Sequence, residues 1–162
     1  MADRQLGIDE ILDRLRDAPL QMVIVAREAT PEELRTTPAP DEWSAVDILA
    51  HLRACADVWG SCIEQLLAED HPTIRAINPR RWIKQTDYRE LEFQPSLDAF
   101  ILQRAELMTI VEPLPVAAYA RTATITGAGR PLERTLRSFA QRLVVHERPH
   151  IRQMARAANV LL

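Results

Sequence analysis

Two histidines one helical turn apart, His146 and His150 in the run "LVVHERPHIRQM", stand where a helix should bury its apolar stripe. Leu132, Leu136, Phe139 and Leu143 precede them at steps of three and four, and Met154 and Ala157 continue the series. With 3.6 residues per turn, positions four apart lie about 40° from each other around the axis, so both imidazoles can face one object. Imidazole is the commonest side-chain ligand for metals and suits zinc, nickel and copper. His51 lies at the edge of a second stripe, formed by Ile48, Leu52, Cys55, Trp59, Cys62 and Leu66, and faces inward or nearly so. A lone histidine on an apolar face reads as a core residue hydrogen-bonded through both nitrogens. An i, i+4 pair joined by a third imidazole from another helix points instead to a divalent metal, and three imidazoles plus an open position are what a catalytic site uses.

The residues around these three divide by position. Gln153 follows His150 by three and can bond a metal water or the far nitrogen of an imidazole, although a surface glutamine would look the same. Glu147 sits about 100° around the helix from His146 and is expected to face solvent. Cys55, one turn beyond His51, would make a softer, closed, structural site if it coordinated, and is read as a core residue. Cys55 and Cys62 are seven apart on one helix, too far for a disulfide, and are expected to be reduced and buried. His71, before Pro72 and past the end of its helix, is left out of the set. Pro149 cannot donate to the Val145 carbonyl, and because an interior proline costs about 3 kcal/mol, a bend is expected there.

Positioning such a set requires helices, and the pattern is helical nearly throughout. A first segment runs from Leu6 past Pro19 to Val25, as one kinked helix or two abutting ones. Thr30 with Glu33 forms a capping box around Pro31 for one short turn, and Ser44 with Asp47 opens a long second helix. Ser96 is expected to cap a third helix that ends at Pro113, and Pro131 to open the last. Between Asp70 and Pro95 the chain has no sustained period, and its Trp82 and Tyr88 are candidates for shaping a pocket. "TATIT" reads as a brief extended piece, but no sheet can be assembled. The expectation is an all-α protein, a four-helix bundle with a long crossover connection, forming a single domain over 1–162.

Composition narrows the class. Hydrophobic residues at 47% and charged residues at 27% suit a folded globular chain, and the net charge of −3 argues against nucleic acid as a partner. Arg75, Arg80, Arg81, Lys84 and Arg89 form a basic stretch that reads first as solvated loop charge and second as a pocket for an anionic substrate. No apolar run is long enough for a bilayer, and "MADRQLGIDE" is acidic and polar where a secretory signal is basic then apolar. No membrane association and a cytoplasmic location are expected.

From about Thr30 onward the chain resembles the DinB-like (YfiT-like) family of metal-dependent bundle proteins. The resemblance rests on "TPEELRTTPAPDEWSAVDILAHL", "SLDAFILQRAELM" and "GRPLERTLRSFAQRLVVHERPHIRQM", above all on Trp43 followed by His51 and on the set His146, His150, Gln153. That family includes bacillithiol S-transferases and is related to mycothiol-dependent maleylpyruvate isomerases. The resemblance implies a four-helix bundle, frequently a homodimer, in which the positions of His51, His146 and His150 hold a divalent ion, zinc or nickel, with water completing the shell. It also implies a small-molecule substrate and a low-molecular-weight thiol, bacillithiol or mycothiol, as cofactor of an S-transferase. The alternatives are a metal-dependent hydrolase and a non-catalytic metal- or small-ligand-binding module. No carboxylate is placed by periodicity beside the histidines to act as a general base, which favours thiol transfer over hydrolysis.

Overall fold

The computed structural model describes residues 4–162. Four long helices carry the fold: α1 (Ile8–Glu28), α3 (Ala45–Ala68), α5 (Phe93–Val111) and α6 (Leu136–Ala157), with the short α2 (Pro31–Arg35) and α4 (Pro79–Trp82) in the connections. Around the bundle α3 packs on α6, α6 on α1, α1 on α5 and α5 on α3, so α1 stands opposite α3 and α5 opposite α6. Short loops join helices that are neighbours. Here the α1–α3 and α5–α6 connections each cross a diagonal, while the long irregular crossover joins the adjacent α3 and α5. Among the described residues no helix is long and apolar enough to cross a membrane.

The starts of α2 and α3 follow their capping residues. Thr30 and Glu33 close one capping box, and the Ser44 hydroxyl accepts the Asp47 N–H at 3.1 Å while the Asp47 carboxylate accepts the Ser44 N–H. Two other starts differ from expectation. Helix α5 begins at Phe93, which puts Pro95 inside the first turn, where a missing N–H leaves no bond unmade. Ser96 is therefore interior to the helix and buried, and it accepts from Arg53 at 3.1 Å. Helix α6 begins at Leu136 under a Thr135 cap, because Leu132–Thr135 is used as a strand. Leu132 is consequently 38% exposed and outside the stripe it was read into. Both α1 and α6 run on through their internal prolines, Pro19 and Pro149.

A small sheet that periodicity did not reveal closes one end of the bundle. Strand β2 (Thr122–Thr126) pairs parallel with β1 (Thr73–Arg75) and antiparallel with β3 (Leu132–Thr135). Gly127 turns the hairpin at φ +82, where a Cβ would also meet Arg75 Cγ at 3.1 Å. Arg121, just before β2, donates to the carbonyls of Leu66 and Glu69 and so ties the sheet to the C-terminal end of α3.

The crossover is fastened by a single carboxylate. Asp57 on α3 accepts from Trp82 Nε1 at 2.9 Å, Tyr88 OH at 2.7 Å and Gln103 Nε2 at 2.7 Å, and the Arg53 guanidinium lies 3.8 Å from the Tyr88 ring centre. The two aromatics of the crossover thus anchor it. Burial and the bond to Asp57 push the Tyr88 phenol up to about 12. Asp57→Leu leaves three donors without their acceptor, and urea unfolding is expected to show a loss of about 1–3 kcal/mol. In the same variant, phenolate absorbance should place the Tyr88 titration closer to its ordinary range.

Candidate metal centre

Helices α3 and α6 form the site. Successive turns of α3 supply His51 and Cys55, and successive turns of α6 supply His146 and His150. The histidines lie at the junction of two apolar clusters, one containing Cys55, Trp59 and Leu143, the other Ile48, Leu52 and Ile151. His51 Nε2 and His146 Nε2 are 2.9 Å apart, and Cys55 Sγ is 3.6 Å from His51 Nε2. The donor atoms of His51, Cys55 and His146 all lie within 4.8 Å of one another. His150 stands beside this triad, its ring centre 4.9 Å from that of His51 and 4.6 Å from that of His146, and its Nδ1 donates to Gln153 Oε1 at 3.0 Å. Two tryptophans wall the cluster: Trp43 lies 5.1 Å from His51 and 6.2 Å from His150, and Trp59 meets His146 edge-on at 5.0 Å.

Burial keeps the donors uncharged. It lowers both His51 and His146 to about 4, helped by the neighbouring imidazoles and by Arg80, with Arg89 acting on His51 and Arg142 on His146. Burial, reinforced by the Glu147 carboxylate, raises the Cys55 thiol to about 12. The two imidazoles are depressed below the 6.5 they would have in the unfolded chain, so between the two values the unfolded chain binds more protons. The metal-free protein is therefore expected to lose stability as pH falls from about 6.5 to about 4, and urea midpoints across that window check it.

The donor distances suit a metal ion. Two nitrogens about 2.0–2.1 Å from a tetrahedral zinc stand about 3.3 Å apart, and such a nitrogen stands about 3.6 Å from a sulfur at about 2.3 Å. The sulfur–nitrogen spacing already matches, and the nitrogen pair would have to part by a few tenths of an ångström. A thiol beside two imidazoles is the donor set of a borderline-soft ion.

Three sequence expectations are corrected here. The converging triad is His51, Cys55 and His146, so the three-histidine set does not stand; Cys55 enters because one turn of α3 separates it from His51, while His150 stands beside the triad with its Nδ1 bonded to Gln153. Cys55 is buried, as expected, yet it is also a donor, and only its spacing from His51 signalled this. Glu147 does not face solvent: it is 2% exposed and paired with the buried Arg104 of α5. His71 lies outside the site and bonds the Thr122 and Thr124 hydroxyls at the sheet.

The bundle has a solved counterpart. YfiT from Bacillus subtilis, described as a probable metal-dependent hydrolase with an unusual four-helix bundle topology, superposes with a TM-score of 0.80. It is 15% identical, and the match covers 98% of this chain and 91% of that one. No curated protein sequence matches significantly. The expected function, a thiol transferase built on three histidines, is not met at the site: the donors that converge are His51, Cys55 and His146. The DinB superfamily profile spans residues 11–154, a stretch that takes in the bundle's helix pairs and every donor described above, and the chain belongs to that superfamily.

Proposed function

We propose that the protein is a metal-dependent hydrolase. The observation that carries this reading is the convergence of His51 Nε2, Cys55 Sγ and His146 Nε2 from two helices, with His146 also lining an open cavity of about 500 Å³. Three protein donors beside an opening are the pattern of a catalytic rather than a closed site. Zinc is the preferred ion, nickel the second, and the ion would supply Lewis acidity toward water and the group to be cleaved.

The chain's own groups then have distinct tasks. His51 and His146 offer neutral nitrogens at neutral pH, and Cys55 would hold the ion as a thiolate, having given up its proton. Since the Gln153 amide oxygen accepts a hydrogen bond from the Nδ1–H of His150, the His150 Nε2 keeps its lone pair and would accept a proton from the attacking water. Gln153 fixes that tautomer. Trp43 and Trp59 limit water to the cavity side of the cluster.

Cys55 also favours a second reading, a non-catalytic metal-binding module, because thiolates predominate in structural zinc sites. Hydrolysis separates the two. Zinc-loaded protein should cleave members of a chromogenic panel of esters, amides and phosphate esters, lose that activity on chelation, recover it with zinc, and lack it in His146→Ala. Stoichiometric zinc without turnover of any panel member would favour the module.

A further inference from the structure

We propose that the cavity beside His146 binds an organic anion, a carboxylate or phosphate group whose charge is met by Arg142. This deepens the hydrolase reading and rests on it for what is cleaved, though not for the binding itself. The cavity runs along one face of α6, where Arg137, Ser138, Gln141, Arg142, Val145 and His146 line it, and among the described residues neither Asp nor Glu lines it. In a chain of net charge −3, a cavity lined among the described residues by two arginines and no carboxylate is a local inversion of sign.

The two arginines are not equivalent. Arg137 is spent on the Leu6 carbonyl, whereas Arg142, among the described residues, has no carboxylate partner. Arg142 is instead held with its guanidinium 4.7 Å from the Trp59 ring centre, and Trp59 in turn meets His146. Stacking on an aromatic face leaves the guanidinium edge, with its fork of N–H donors, free for a bidentate acceptor. A second arginine–tryptophan pair, Arg89 at 6.0 Å over Trp43, stands beside His51 and His150.

Calorimetric titration of metal-free and zinc-loaded protein with phenylacetate, phenyl phosphate and the neutral phenylacetamide tests this. At least one anion should bind the metal-free protein about tenfold tighter than the amide, the value of one charge-assisted hydrogen-bond pair. Arg142→Gln should erase that preference, and Arg142→Lys should keep part of it. Whichever anion is preferred identifies the group as carboxylate or phosphate. Equal binding of acid and amide, binding of none of the three, or a preference that survives Arg142→Gln overturns the proposal. Because the preference is read without metal, failure to bind zinc counts against the hydrolase reading alone, and loss of anion preference with zinc binding intact counts against this one alone.

Discussion

Glu147→Ala is expected to destabilise the protein by about 3–5 kcal/mol, the cost of leaving a buried charge without its partner. Arg104 and Glu147 are 4% and 2% exposed, and they join α5 to α6 across a diagonal of the bundle. The pair is bidentate: Arg104 donates through one amino nitrogen to Glu147 Oε1 and through the other to Oε2 at 3.3 Å. The guanidinium also donates to the Leu15 carbonyl of α1 at 2.9 Å and lies 4.9 Å from the Phe100 ring centre, so three helices meet on it. Removing the carboxylate strands that cation in an apolar interior. Replacing both residues, as in Arg104→Met with Glu147→Leu, should recover most of the loss, since apolar side chains of similar volume avoid the desolvation cost. Urea unfolding of the two singles and the double provides the comparison. A single-variant loss below about 1 kcal/mol would mean that the pair is not the central tie of the bundle.

Much of this was legible from local rules. The stripe in Ile48, Leu52, Cys55 and Trp59 located α3, and the Ser44–Asp47 box fixed its first residue, because capping depends on neighbours in sequence. The inward placement of His51 and His146 followed from the same periodicity. What escaped detection depended on partners far along the chain. The burial of Glu147 is set by Arg104, 43 residues away, and nothing in the period of α6 announces it. The sheet needed the pairing of segments near 73 and 124, each too short to carry a strand signal alone. Cys55 was misjudged for a different reason: an apolar stripe accepts a thiol as a small hydrophobe, and only the fold shows an imidazole from another helix arriving beside it.

Zinc binding at pH 7 is expected to release about one proton per site, and that proton comes from Cys55. The thiol, held at about 12, is protonated before the ion arrives and must ionise to coordinate. His51 and His146, at about 4, are already neutral and release nothing. Calorimetry in buffers of different ionisation enthalpy counts the proton directly. Cys55→Ala should abolish the release and weaken binding, while His51→Ala or His146→Ala should end stoichiometric binding at micromolar protein. The pH dependence distinguishes the donors further: affinity should fall by about tenfold for each unit that the pH is lowered across neutral pH through the thiol alone, and more steeply once the imidazoles take up protons near pH 4. If zinc binds the native protein tightly with no proton released, Cys55 is a bystander, and the ion must be held by His51 and His146 with other donors.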